Sequence, residues 1–428
     1  MSRTEFTRLA GEEIIQVFYA PHKAFRKIVQ NAKFLGPILI LIVFVVVQVG
    51  ASYVVSSKSY LEQTVPTSDQ GDFWTQNASM WAATPNVTIT NNYFDYINST
   101  SLYLNTTSIE FVANSNNMQI YLYNLGQSVD CSANGYTNLS VRVKVVSPNT
   151  VPQSVTLTLF SISPAINFAT DLTSAFSNTT IAEQHLWNNL TIPLNTSAWT
   201  SSNSAASWSN ITGLMMNFTW PASSSASIDL RVDGLFFRGV YKSSIDVYGS
   251  SVLFSTALSA ATPFLFEWLL LTALIYLLIK GLHGKTMWKP VMVAVGFALI
   301  TLIVQSLILL VVYSASYLPN VNYPLEILAG IPGESDIAYV AINNTISQVL
   351  YIGSIVQIII YIWIIALGTF IVREVTAVPS PAATPVDTPA PEVGPVMGMQ
   401  QFGWLKSLLV SAVAFVLTIT ILGFLGIA

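Results

Sequence analysis

The chain is 428 residues long, 52% hydrophobic and only 9% charged, with a net charge of −4 and a mean hydropathy of +0.56. Soluble domains carry roughly 25% charged residues, so this composition excludes a soluble enzyme and a disordered tail. With 17 basic against 21 acidic residues there is no basic face to neutralise phosphates, which excludes a nucleic-acid partner.

In chain order, VFYAPHKAFRKIVQ sets Phe18, Phe25, Ile28 and Val29 on one helix face and Lys23, Arg26, Lys27 and Gln30 on the other. That pattern predicts an amphipathic helix in the membrane interface, its cations toward lipid headgroups. Residues 34–57 then carry no charge between Lys33 and Lys58. About 20 apolar residues cross ~30 Å of hydrocarbon. A first span is predicted near 35–55, as an uncleaved signal anchor.

A segment of different composition follows, rich in Ser, Thr and Asn. Leu139, Val141, Val143 and Val145 alternate with Ser140, Arg142 and Lys144. Val155, Leu157 and Leu159 alternate with threonines, and Ile228, Leu230 and Val232 with Asp229, Arg231 and Asp233. Similar patches lie near 87–90, 109–112, 118–123, 190–194 and 214–220. Period two means strands with one buried face, and about eight of them predict an antiparallel β-sandwich. The lone Cys131 cannot form an internal disulfide, and a segment of this size buries its own core without one.

Further spans are predicted near 258–280, 290–314, 349–372 and 405–427. Between the last two, six prolines from Pro379 to Pro395 prevent a helix and predict an extended linker. The fold class is thus an α-helical five-span membrane bundle with an inserted extracytoplasmic all-β sandwich. Its parts are a cytoplasmic region 1–33, the first span 34–57, the β-sandwich 58–248, spans two to four in 249–376, the linker 377–403 and the fifth span 404–428.

Cytoplasmic loops collect Lys and Arg. Residues 1–33 hold six, the loop after the second span holds Lys280, Lys285 and Lys289, and the linker side holds Arg373 and Lys406. The N-terminus is therefore placed inside, and the β-sandwich and C-terminus outside. The N-x-[ST] sequons agree. They begin at Asn77, Asn86, Asn98, Asn105, Asn138, Asn178, Asn189, Asn195, Asn210, Asn217 and Asn343, all on the predicted outer side.

The membrane part resembles the Yip (Ypt-interacting protein) domain family over roughly 1–55 and 250–428. Pro21, Phe25, Arg26, Gly36 and Pro37 match its start. FEWLLLTALIYLLIKGLHGKTMWKPVMVAVGFA looks like its second and third spans, and QIIIYIWIIALGTFIVREV like its fourth. The resemblance implies five spans with the N-terminus cytosolic. The eukaryotic Asp-Leu-Tyr-Gly-Pro stands here as Lys33-Phe34-Leu35-Gly36-Pro37, and the third-span Gly-Tyr as Gly296-Phe297. These departures point to an archaeal or bacterial member rather than a GTPase-binding one.

The stretches LWNNLTIPLNTSAW, SWSNITGLMMNFTW and SIDLRVDGLFFRG resemble closing strands of galactose-binding-like jelly rolls, over about 135–240. The resemblance implies a jelly roll that stacks aromatic faces on sugar rings. Trp199 and Trp208 sit among Ser and Asn and are the expected exposed ligand-binding residues; Trp74, Trp81, Trp187 and Trp220 read as packing. Asp233 matches an Asp that is sometimes a calcium ligand in that family, but one carboxylate is too few for calcium.

No catalytic residue, metal site or cofactor is predicted. His22, His185 and His283 are scattered, and no HExxH, Cys/His cluster or Walker loop occurs. Glu267 stands out, because a carboxylate in a span is costly and a functional suspect. Thr262-Pro263 could instead cap a span start, leaving Glu267 near the outer interface. Gln48, Gln305 and Gln357 are the polar residues of the other spans. The expected function is a non-enzymatic adaptor or organiser in the cell membrane, with the lipid bilayer and an envelope glycan or membrane protein as partners. The alternative is a transporter, or a transporter subunit, with an outer ligand-capture domain.

Overall fold

The computed structural model describes residues 12–99, 103, 106–176, 186–221, 227–315, 317–377 and 401–427. Asn105, Asn178, His185 and residues 378–400 of the expected linker lie outside them. The chain forms two compact units: Met1–Lys58, Ser244–Pro319 and Thr345–Ala428 make one, and Ser59–Ser243 with Asn320–Asn344 the other.

The first unit is helical. It contains α1 (Pro21–Gln30), α2 (Leu35–Lys58), α3 (Ser250–Gly281), α4 (Trp288–Ala298), α5 (Ile300–Ser314), most of α6 (Glu334–Ala377) and α7 (Trp404–Phe424). Five helices are long and apolar enough to cross a membrane: α2, α3, the α4–α5 pair, α6 and α7. The third span, expected near 290–314, is the α4–α5 pair Trp288–Ser314, with one break at Leu299 (ψ 0°). The suggested cap at Thr262-Pro263 is overturned, because α3 runs through Pro263 without ending.

The expected interfacial helix is also corrected. α1 exists, but Ala24, Phe25, Ile28 and Val29 are buried in the core of the helical unit, against α4, rather than offered to lipid. Its polar side holds His22 Nδ1 2.8 Å from Glu374 Oε1, and Arg26 Nε donates to Glu374 Oε2 at 3.3 Å. Two glycine motifs interlock in this core. Gly36 lies against the Phe297 ring, and Gly296 against Pro37 and Trp268.

The second unit is two packed sheets. One has the order β13-β1-β12-β4-β3, with β6 and then β9 on the other side of β12. These strands are β1 (Ser59–Val65), β3 (Val87–Asn92), β4 (Ser108–Ala113), β6 (Asn138–Ser147), β9 (Asn188–Pro193), β12 (Ile228–Ser243) and β13 (Val321–Tyr323). The other sheet is β10-β8-β7-β11-β5-β2, from β2 (Ala82–Ala83), β5 (Asn117–Leu122), β7 (Ser154–Ser161), β8 (Ser163–Asp171), β10 (Thr200–Ser201) and β11 (Ile211–Thr219). Inward residues of both sheets, such as Phe111, Val143 and Leu230 against Ile120, Leu157 and Met216, share one core. Every pairing is antiparallel except that of β13 with β1.

The parallel strand β13 comes from residues the sequence assigned to the span-three-to-four region. Segment 320–344 is part of the β unit. Glu326 from its short helix Leu325–Ala329 and Glu62 of β1 flank the Arg238 guanidinium, at 2.5 and 2.7 Å. Glu334 meets Arg142, which is fully buried, at 2.7 Å.

Candidate functional site

The β unit carries a cleft of about 450 Å3 where the two sheets come to their ends. β9 is an outer strand of one sheet, and β8 lies next to the outer strand β10 of the other. Leu172, Leu190 and Trp199 give it an apolar wall; Thr170, Asp171, Asn188, Asn189 and Thr191 give it hydrogen-bonding groups. Asp171 Oδ1 accepts from the Thr173 backbone N–H at 2.8 Å and from the Thr173 hydroxyl at 2.5 Å. These two donors hold its carboxyl below the usual carboxylate range. The Asn189 amide donates to Glu334 Oε2 at 3.1 Å. One fixed anion, amides and hydroxyls beside an apolar wall suit a neutral, hydroxyl-rich ligand.

The two expected stacking residues behave differently from the sequence reading. Trp199 is only 8% exposed, and its Nε1 donates to the Pro193 carbonyl at 2.8 Å. Trp208 is partly buried and stacks on Phe168, ring centroids 4.0 Å apart. The two indoles meet edge to face at 5.4 Å. Burying an indole is favourable once its N–H has a partner, and the loop carbonyl supplies one. Trp199 therefore walls the cleft, and neither ring is an open platform.

The exposed aromatics are elsewhere. Tyr121 stacks on Tyr123 at 5.0 Å with 8° between planes, and Tyr123 lies 6.0 Å from Phe160. Tyr123 is 50% exposed. Alternation was the signal that could have found them. Met118, Ile120 and Leu122 point inward, so Tyr121 and Tyr123 face out.

Asp233 does not stand alone. It and Asp72 are both buried, and they share a hydrogen bond. Asp233 accepts from the Ile97 N–H at 2.7 Å and the Gly234 N–H at 2.8 Å. Thr75 Oγ1 reaches Asp72 Oδ2 at 3.2 Å and Asp233 Oδ1 at 3.4 Å, and Gln76 donates to Asp72. Burial first, then the Asp72 charge, push the Asp233 carboxyl well above its ordinary range. Among the described residues no three His, Cys, Asp or Glu side chains gather as a metal group.

Within the helical unit, Gln48 Nε2 donates to Ser306 Oγ at 3.0 Å, and Gln357 Nε2 to the Tyr361 hydroxyl at 2.6 Å. Gln305 is half-buried in α5. Glu267 sits in α3, and its Oε1 is buried without a hydrogen-bond partner among the described residues. None of the three glutamines hydrogen-bonds that oxygen. Of the described sequon residues, Asn77, Asn86, Asn98, Asn189, Asn195 and Asn343 are exposed. Asn138, Asn210 and Asn217 are half-buried, and Asn217 lies within β11 between Gln119 and Thr156 of the flanking strands.

No family model matches the chain. No curated protein matches it. Among solved structures it is similar to an exo-β-agarase, at 10% identity and a TM-score of 0.27, over 39% of this chain and 24% of that one. It is also similar to a carbohydrate-binding module of the β-sandwich superfamily, at 9% identity and a TM-score of 0.24, over 37% of this chain and 57% of that one. The chain thus spans about a quarter of the first relative and somewhat over half of the second. At these scores neither likeness bears on function.

Proposed function

We propose that this chain is a non-enzymatic integral membrane protein whose jelly-roll-like β unit stands outside the membrane and holds glycans in the Asp171 cleft. It acts as an adaptor or organiser of the membrane. The observation that carries this reading is the cleft itself, where amides, hydroxyls and one ionised carboxylate line an apolar wall. Asp171 is its one carboxylate among the described lining residues, and glycoside cleavage by the usual route takes two. Membrane insertion is supported by the five long apolar helices. A Yip-like arrangement of the helical unit is supported by the contact of Gly36-Pro37, which match the family's start, with Gly296-Phe297, which stand where the family has Gly-Tyr.

The test must use the full chain. Residues 59–243 alone would leave Arg238 and Arg142 without Glu326 and Glu334. Breaking a buried ion pair costs about 3–5 kcal/mol. Full-length protein in lipid nanodiscs is offered soluble envelope polysaccharides and a glycan panel. Saturable binding is expected, and Asp171→Ala weakens it about tenfold or more, the worth of a hydrogen bond to a charged group. Absence of binding by folded protein would move the β unit to protein contacts.

A second reading, a transporter or transporter subunit, is favoured by the partnerless Oε1 of Glu267. It requires that Glu267→Gln change ion or proton flux in proteoliposomes, and unchanged flux removes it.

A further inference from the structure

Where α6 ends and α7 begins, the helical unit carries an open apolar groove of about 440 Å3. Its walls are Ala366, Thr369, Phe370, Trp404, Leu405 and Leu408. Trp404 is 54% exposed and Leu405 72%, so the groove opens outward. Phe370 and Trp404 meet edge to face at 5.4 Å. The Arg373 guanidinium lies over the Trp404 ring, 3.7 Å from its centroid.

Arg373 is the unusual part. Its Nε is buried and has no hydrogen-bond partner among the described residues. Its neighbour Glu374 is already held by His22 and Arg26. α7 starts at Trp404 without a side-chain cap, which adds partial positive charge at the same end. A second cation, Lys406, stands in this first turn.

We propose that this groove seats one anionic glycerophospholipid, an acyl chain along Phe370, Leu405 and Leu408 and the phosphate on Arg373. The inference rests on the membrane reading, and it deepens it by naming a lipid site on the cytoplasmic side. An apolar groove alone takes any acyl chain. The stacked guanidinium adds selection, because its planar fork matches phosphate oxygens and stacking on Trp404 holds the fork in place. A cation with no acidic partner among the described residues favours a net-negative headgroup over a zwitterionic one.

The test reconstitutes the full chain in phosphatidylcholine vesicles containing either brominated phosphatidylglycerol or brominated phosphatidylcholine at equal mole fraction. The readout is the part of the tryptophan quenching that Trp404→Phe removes. The anionic lipid is expected to be preferred about fivefold, the worth of one cation at the surface. Arg373→Gln should bring the preference close to one. Filling the groove with Ala366→Phe should weaken quenching of Trp404 by both lipids while the charge stays intact, which keeps the idea testable if Arg373→Gln does not fold. Equal quenching by the two lipids in the unaltered protein, or a preference that survives Arg373→Gln, overturns the proposal. Failure of the membrane reading looks different, because the chain would then be released by alkaline carbonate and neither lipid would quench Trp404.

Discussion

At Asp233 the fold works against ionisation. Both carboxyls of the Asp72–Asp233 pair are withdrawn from water, and two negative charges this close are unfavourable. The folded pKa of Asp233 lies well above the ordinary value of 3.8, so folding takes up a proton. The stability this contributes is full below the ordinary value and is lost as pH rises through the raised one. Asp72→Asn should therefore raise the thermal midpoint of the β unit at neutral pH. An amide at Asp72 can accept from Gln76 and donate to Asp233, removing one charge at the cost of the bond its Oδ2 accepts from the Thr75 hydroxyl. The gain over the unaltered protein should shrink toward acid pH, which a series of circular dichroism melts would show. A lower midpoint for Asp72→Asn at neutral pH, with a matching loss on adding a chelator, would mean that the pair holds a divalent cation instead of a proton. Asp233 alternates with Ile228, Leu230 and Val232, which placed it in the sequence on a solvated face, whereas the fold buries it. Asp72 was not legible, because its role depends on a loop being carried to β12, and no periodicity encodes that.

At the scale of elements, apolar alternation was a dependable guide even in β6 and β12, which also bury Arg142 and Asp233. β3, β4, β5, β6, β7, β9, β11 and β12 all fall on runs seen in the sequence. β1 escaped because SYLEQTV buries Glu62, which reads as a surface residue until Arg238 is beside it. β13 escaped because three residues carry no pattern. The helix start suggested at Thr262-Pro263 was misread for the converse reason, since α3 runs on through it and local propensity is weak against tertiary context. Close packing of α2 on α4 needs two glycines. A Cβ on Gly36 would lie 2.0 Å from the Phe297 ring, and one on Gly296 would lie 2.6 Å from Pro37. Gly296→Leu is expected to destabilise the helical unit by about 1–3 kcal/mol or more, as overpacking does. Gly50, beside which a Cβ meets nothing, is the control, and Gly50→Leu should change little. Size-exclusion profiles and melting of the two variants in detergent would separate these outcomes. Equal behaviour would mean that the interlock does not hold α2 and α4 together.

The path of the whole chain ties these observations to an orientation. If five helices cross with the N-terminus inside, segments 59–243 and 320–344 emerge on one side. They fold together as one unit, joined by β13 on β1 and by the Arg238 and Arg142 ion pairs. The same path puts α1, the ends of α3 and α6 and the start of α7 on the other side. There His22 meets Glu374, and the Lys406 ammonium donates to the Leu282 carbonyl at 3.3 Å. Lys280, Lys285, Lys289, Arg373 and Lys406, from which the orientation is expected, lie on the segments that this path would put at that second end. The protein's own chemistry gives a clean way to test it. Cys131 is its one cysteine, and burial together with the Asp130 charge pushes the thiol up to about 12. A maleimide reacts with thiolate, so the unaltered chain should stay unlabelled at neutral pH. Asn343→Cys and Lys285→Cys then each place one accessible thiol, the first in the β unit and the second at the opposite end of the path. In intact cells a membrane-impermeant maleimide should label Asn343→Cys at once and Lys285→Cys only after permeabilisation. The reverse pattern would invert the orientation and put the Asp171 cleft in the cytoplasm. Immediate labelling of both would break the five-span path itself, and with it the reason for placing the Arg373 groove against the inner leaflet.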